Sequence, residues 1–137
     1  MPDCVFCMIR DGKIPCAKVY DDQRTLAFMD INPLSRGHCL VVPKAHAATL
    51  YEAEAEDLKA AIVTAKKVAG AIRKALNPDG LNLLQANGAA AFQSVPHFHL
   101  HLIPRWTSDG KGFDWKEVPG NREEITGTAD RIRAMFG

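Results

Sequence analysis

At 137 residues, 47% apolar and 24% charged, the chain is expected to form a single domain large enough to bury a core. Its formal net charge of +1 gives no electrostatic case for nucleic acid or a membrane surface as the main partner. The opening Met-Pro-Asp-Cys has no basic stretch followed by an apolar run, and no segment is long enough to span a bilayer. Neither leader nor anchor is therefore expected, and the cytoplasm is the expected compartment.

In that compartment Cys4, Cys7, Cys16 and Cys39 are expected as reduced thiols or ligands rather than disulfides. Cys4-Val5-Phe6-Cys7 reads as a short turn or helix. One C-x-x-C can be half a zinc site, a redox pair or two idle thiols, with redox the weakest because no strand leads into it. Arg10 to Pro15 is a turn. Ala17–Tyr20 and Thr25–Met29 read as a hairpin around Asp21-Asp22-Gln23. The Asn-Pro and Gly of residues 30–37 mark a loop, where Asp30 reads first as a turn cap.

His38 to Val42 is a third strand, closed by Pro43 and bracketed by His38 and His46. The period then changes. Leu58, Ile62, Ala65, Ala69, Ile72 and Leu76 recur at helical spacing, with acids at the start and lysines and arginines toward the end, as a helix dipole favours. Asn77-Pro78-Asp79-Gly80 ends this long helix. Leu81 to Ala86 is a fourth strand, followed by a small-residue loop, Asn87 to Phe92. That loop is either a plain connection or a set of backbone N–H groups converging on an anion. Trp106 to Gly120 reads as loop, and Arg122 to Phe136 as a weak helix with Ile125, Ala129, Ile132 and Phe136 in register. The order of elements implies an α+β domain on an antiparallel sheet.

The stretch that organises the chain is His97-Phe98-His99-Leu100-His101-Leu102-Ile103. In an extended strand the histidines share one face and Phe98, Leu100 and Leu102 the other. An open face of three imidazoles, roughly 6.5–7 Å apart by the strand rise, is expected. Taken alone, that face is open to three readings: polar decoration, a metal site or a catalytic surface.

This segment resembles the histidine triad motif, His-φ-His-φ-His-φ-φ with φ apolar. The likeness extends upstream through Leu26-Ala27-Phe28-Met29-Asp30-Ile31-Asn32-Pro33, Gly37-His38, Leu40-Val41-Val42-Pro43-Lys44 and His46, and to Asn87-Gly88 and Gln93-Ser94 just before the triad. It covers about residues 3–105, the expected domain core, with 106–137 a tail completing the same domain. Within the histidine triad (HIT) family, it is closest in pattern to the nucleotide-binding proteins that act as nucleoside phosphoramidases.

The resemblance implies a five-stranded antiparallel sheet with one long helix, and a dimer with a continuous sheet. It implies a purine nucleotide substrate attacked at its α-phosphorus to give a nucleotidyl-histidine that water hydrolyses. His99 would be the nucleophile, His101 would neutralise a phosphate oxygen, His38 would support the active face, and the Ser94 hydroxyl would donate toward the leaving atom. Asn87 and backbone N–H groups around Phe92, Gln93 and Ser94 would hold the phosphate. Asp30 would accept from the ribose hydroxyls, replacing the turn-cap reading. Val5, Phe6, Ile9, Phe28 and Ile31 would form the slot for the base. In members with the cysteine pair, structural zinc sits on the residues that correspond to Cys4, Cys7, His46 and His97. No organic cofactor is implied. The alternatives are a dinucleoside polyphosphate hydrolase, a nucleotide-binding interaction module with residual catalysis, and a catalytic metal site made of the histidines. Phe92 stands where the family commonly has glycine, so either this loop takes another path or the ring packs on the nucleotide or a neighbouring subunit.

Overall fold

Alternating apolar strands need a cover on each buried face, and this chain supplies one helix for each. A computed structural model describes residues 3–112 and 115–136; Phe113 and Asp114, within the expected tail loop, lie outside the described residues. The elements run α1 (Val5–Arg10), β1 (Lys18–Asp21), β2 (Thr25–Met29), β3 (Cys39–Pro43), α2 (Ala55–Leu76), β4 (Gly80–Leu84), β5 (Leu100–Arg105) and α3 (Arg122–Arg133), with a 3₁₀ turn at Ala89–Ala91. The strands form an antiparallel sheet in the order β1-β2-β3-β5-β4. The expected α+β fold with five antiparallel strands and one long helix is the fold observed.

Because successive strand side chains alternate, the sheet divides the core into two. On one face Ala27, Val41, Phe98, Leu100 and Leu102 pack against Ala61, Ala65, Val68 and Ile72 of α2. On the other, Leu26, Phe28, Leu40 and Val42 pack with Cys4, Phe6 and Cys7 of α1. Buried polar atoms are matched across the layers: the hydroxyls of Thr25 on β2 and Thr64 on α2 lie 2.7 Å apart. The turn before β2 is tied by Asp22, whose carboxylate accepts from the backbone N–H groups of Arg24 and Thr25.

Helix α2 ends at Leu76, where Asn77 takes a left-handed conformation (φ 49°) and its N–H donates to the Arg73 carbonyl. That end is locked against the loop before β3. A Cβ on Gly37, at φ +89°, would meet Leu76 Cδ1 at 2.5 Å and Pro104 Cγ at 3.1 Å. The close approach carries the chain into β3 and sets His38 just before the strand.

Three expectations change. The triad does not lie wholly in a strand: β5 begins at Leu100, and His97 and His99 precede it. The alternation survives, since Phe98 still reaches the α2 core. The histidine face is not open, because α1 covers it: His97 is 1% and His99 3% exposed. Finally, Ile62 does not join the α2 core. It is 48% exposed beside Val63, and Leu81 and Leu83 on the edge strand β4 are 39% and 46% exposed. Together they line an apolar groove. The last helix forms as expected, with Asn121 accepting from the Glu124 N–H at its start, but none of its residues is buried.

Candidate active site

A neutral imidazole has one N–H and one lone pair, so its partners assign its tautomer. His38 Nδ1 accepts from the Leu34 backbone N–H at 3.0 Å, which places the proton on Nε2. That nitrogen faces His101 Nδ1 at 3.0 Å, so His101 accepts there and carries its own proton on Nε2. His99 Nδ1 lies 2.7 Å from the His97 carbonyl and must donate to it, which leaves the Nε2 lone pair free. The rings of His99 and His101 are 4.8 Å apart at 62°, closer than the strand rise alone gives, because the two rings lean together.

His99 lines a cavity of about 290 Å³ with Val5, Phe6, Ile9, Phe28, Asp30, Ile31 and Ser94. Its wall is mostly apolar, with polar atoms supplied by Asp30, Asn32, Ser94 and His99. The Phe6 ring stands edge-on to His99 with centroids 5.0 Å apart. Ile31 is 90% exposed at the rim. The sequence reading did not single out Cys16, Leu40 or Val95, which also line this space.

Asp30 does two things. One oxygen accepts from the Asn32 N–H at 2.8 Å, the turn-cap role first read for it. The other stands 3.5 Å from His38 Nε2. Burial lowers the His38 pKa and outweighs the pull of the Asp30 charge, so the contact is between a carboxylate and a neutral ring. Asp30, His38 and His101 also place potential ligand atoms close together. A cation on His38 Nε2 would need the proton moved to Nδ1, leaving the Leu34 N–H without its acceptor. His38 and His101 are therefore a hydrogen-bonded pair with Asp30 beside them, and this tautomer of His38 opposes a cation on its Nε2.

The loop before the triad is braced rather than open. The Asn87 side-chain oxygen accepts from the Leu50 N–H at 2.7 Å, and its amide nitrogen donates to Gln85 at 2.7 Å. Gln93 uses both ends of its amide: the oxygen accepts from the Gly88 N–H, and the nitrogen donates to the Ala48 and Val95 carbonyls. The Phe92 N–H donates to the Ala89 carbonyl. The Phe92 and Gln93 N–H groups, both expected at the nucleotide, donate within the loop to the Ala89 and Gly88 carbonyls. Asn87 retains one amide hydrogen beyond its Gln85 contact.

A second cluster lies behind the cavity. Cys4 and Cys7 from α1, His46 after β3 and His97 place four potential ligand atoms within 4.8 Å of one another. The separations are 3.4 Å for Cys4 Sγ–His97 Nδ1, 3.4 Å for Cys7 Sγ–His46 Nδ1, 3.7 Å for Cys7 Sγ–His97 Nδ1 and 3.2 Å between the two Nδ1 atoms. A tetrahedron with metal bonds of about 2.0–2.3 Å has edges of about 3.3–3.8 Å, so these distances fit. His97 Nε2 donates to the Pro43 carbonyl at 2.8 Å, which turns the Nδ1 lone pair toward the cluster. Burial holds the His97 pKa down to about 4, in the neutral form a ligand needs.

The HIT domain model matches residues 11–108. The adenosine 5′-monophosphoramidase hnt1 of Schizosaccharomyces pombe is 42% identical over 134 residues, covering 97% of this chain and 98% of that protein. A crystal structure of a HIT family member from Bacillus subtilis superposes with a TM-score of 0.91 at 41% identity, covering 98% of each chain. A Zn-bound histidine triad family protein from Mycobacterium smegmatis gives a TM-score of 0.78 at 34% identity, covering 97% of each chain.

The buried rings give this site a pH signature. His38, His99 and His101 all sit below the ordinary imidazole pKa of 6.5 because burial penalises the cation, His101 down to about 4. Between those values the unfolded chain binds more protons than the folded one. Their contribution to stability is complete above 6.5 and is lost as pH falls toward 4. Thermal unfolding followed across pH should show a level midpoint above pH 7 and a steady fall from pH 6.5 to 4. A midpoint unchanged through that window would contradict the neutral, buried assignment.

Proposed function

This chain belongs to the HIT family, and on that footing we propose that it is a hydrolase of purine nucleoside phosphoramidates, working through a nucleotidyl-histidine. The observation that carries the reading is the His99 tautomer. Its Nδ1–H is held by the His97 carbonyl, and its Nε2 lone pair is free beside the cavity that holds Asp30 and Ser94. Covalent catalysis needs a neutral, oriented nucleophile of this kind. The adenosine 5′-monophosphoramidase activity named for the fission-yeast relative supports the substrate class.

In the proposed reaction the base lies in the apolar slot between Phe6, Phe28 and Ile31, and the free lone pairs of Asp30 accept from the ribose hydroxyls. His99 Nε2 attacks the α-phosphorus as the phosphorus–nitrogen bond breaks. His101 Nε2–H donates to a non-bridging oxygen, in an orientation set by His38 and the Leu34 N–H. The Ser94 hydroxyl donates toward the departing nitrogen and relays to it one proton from solvent, so that it leaves as the amine; the proton lost by water in the second step returns to solvent. Water then attacks the phosphorus, releases His99 and loses a proton. The net change is one water consumed and one amine and one nucleoside monophosphate formed. Released adenosine monophosphate is the readout: adenosine 5′-phosphoramidate should be turned over faster than diadenosine polyphosphates. His99→Ala should lower kcat by at least about 10³-fold while nucleotide still binds, because the ring supplies chemistry more than affinity. Near-normal turnover by that variant would overturn the nucleophile, and faster turnover of the dinucleotides would move the substrate class.

We also assign zinc to Cys4, Cys7, His46 and His97. The four distances and the His97 Nε2–H bond to the Pro43 carbonyl support it, as does the zinc in the mycobacterial neighbour. A closed Cys₂His₂ set is structural: bound zinc would clip α1 to the sheet and so hold the roof of the base slot. Elemental analysis should give about one zinc per chain. Cys4→Ser should lose the metal and several degrees of Tm, with the residual activity of its folded fraction insensitive to chelator. Activity that is abolished by chelator and restored by metal at an unchanged Tm would contradict a structural role.

The apolar groove of Ile62, Val63, Leu81 and Leu83 beside the edge strand β4 supports a homodimer whose sheet continues across two copies. The tail from residue 106 starts at that edge. Arg105 holds Asp109 through both carboxylate oxygens, and the Thr107 N–H donates to Asp79; these contacts support reading the tail as part of the same domain as the core.

A further inference from the structure

The loop between β2 and β3 carries the backbone group on which the tautomer of His38 turns. Its ends are closed by the Asp30 N–H, which donates to the His38 carbonyl at 3.0 Å. Inside it, the His38 N–H donates to the Ser35 carbonyl at 3.2 Å, and the Leu34 N–H donates to His38 Nδ1 at 3.0 Å. These bonds are all internal to the loop. Residues 31–34 and Arg36 are exposed, so packing gives the loop little hold. The outward tie is the Ser35 hydroxyl, which donates to the Pro104 carbonyl of β5 at 2.6 Å. Among the described residues it is the only hydrogen bond from residues 31–36 to a strand.

The bond exists because of where the β3–β5 ladder stops. That ladder pairs Val41 with Leu100, Leu40 with His101 and Cys39 with Leu102. Two further steps would set Gly37 against Pro104, but Gly37 turns away at φ +89°. Pro104 is fully buried, and a buried carbonyl without a partner costs the fold free energy. The Ser35 hydroxyl supplies that partner. The contact and the close approach of Gly37 to the Pro104 ring seat the loop on β5. His101 lies on the same strand. One strand therefore sets both His101 and the Leu34 N–H that acts on it through His38.

We propose that Ser35 is a positioning residue for the nucleotidyl transfer: by tying its loop to β5, the hydroxyl keeps the Leu34 N–H on His38 Nδ1 and so keeps a donor on His101 Nε2. The inference rests on the phosphoramidase reading for the use of that donor, and adds the residue that maintains it. With the Leu34 N–H in place, His38 holds its proton on Nε2 and His101 Nδ1 accepts it at 3.0 Å. If the loop drifts, the His38 proton is free to move to Nδ1. His38 Nε2 then offers His101 a lone pair, and His101 keeps the contact only by carrying its own proton on Nδ1. Its Nε2 would meet a phosphate oxygen as a second acceptor, which repels it. Asp30 stands 3.5 Å from His38 Nε2, beyond the usual reach of an N–H···O bond, and does not set the tautomer on its own.

The test compares the full chain with Ser35→Ala and Ser35→Thr. Nitrogen–proton correlation spectra of the imidazoles, recorded at neutral pH without nucleotide, read the tautomers directly. The wild-type chain should show His38 and His101 wholly in the Nε2–H form, and Ser35→Ala should show both as mixtures. On adenosine 5′-phosphoramidate, Ser35→Ala should lose about tenfold in kcat with KM changed by less than about twofold, because the His101 donor acts on charge that develops in the transition state. Ser35→Thr keeps the hydroxyl and should return both readouts toward wild type. The proposal is overturned if His101 stays wholly Nε2–H in folded Ser35→Ala, if kcat there is within about twofold of wild type, or if folded Ser35→Thr behaves as Ser35→Ala does. A merely structural role would lower Tm and the folded fraction while leaving the tautomers unchanged, and that outcome overturns it too. Failure of the parent reading looks different: the wild-type chain would show the expected tautomers and bind adenosine monophosphate, yet release none from the amidate.

Discussion

A buried imidazole that wasted its N–H would cost the fold an unsatisfied polar group, and here the backbone takes that N–H or fixes the nitrogen that keeps it. The Leu34 N–H decides the tautomer of His38, and through it that of His101. The His97 carbonyl decides His99, and the Pro43 carbonyl decides His97. Each constraint comes from a strand end or its adjoining loop, where the main chain still has unpaired groups to offer. The same arrangement that satisfies the buried rings leaves two nitrogens usefully placed: a lone pair on His99 for attack and an N–H on His101 for donation. Burial keeps the rings neutral, so the proposed nucleophile and donor coexist at one pH.

The fold separates support from chemistry. The face toward α2 is a closed apolar core that fixes Phe98, Leu100 and Leu102. The opposite face carries the histidines under α1, whose Phe6 closes the base slot and whose two cysteines stand at the four-residue cluster. Because His97 belongs to that cluster and its carbonyl orients His99, anything that anchors the cluster also steadies the His99 ring. Structural and catalytic roles meet in two adjacent links of one chain segment.

Much of this was legible in the sequence because it is local or periodic. The helical spacing of Leu58 to Leu76 and the Asn-Pro-Asp-Gly stop gave α2 nearly to its ends. The alternation at residues 97–102 correctly assigned Phe98, Leu100 and Leu102 to the core. Alternation reports a side, however, and not what lies over it, so the cover of α1 on His97 and His99 was invisible. Ile62 illustrates the same limit: its helical phase fits an apolar stripe, but the stripe is wider than the sheet covers. The roles of Leu34, Ala48 and Leu50 depend on backbone groups, whose partners no side-chain pattern records. Asp30 keeps the turn-cap role first read for it through one oxygen, while the other faces the histidines, a contact no local pattern records.

The central claim is that His99 carries the nucleotide between the two half-reactions. The most direct measurement is mass spectrometry of the protein quenched within milliseconds of mixing with an adenosine 5′-phosphoramidate. The account predicts one added nucleoside monophosphoryl group per active site, localised to the His99 peptide, labile in acid and stable in mild base as a phosphorus–nitrogen bond requires. Rapid turnover with no adduct at any quench time, or an adduct on the Ser94 oxygen instead, would contradict it.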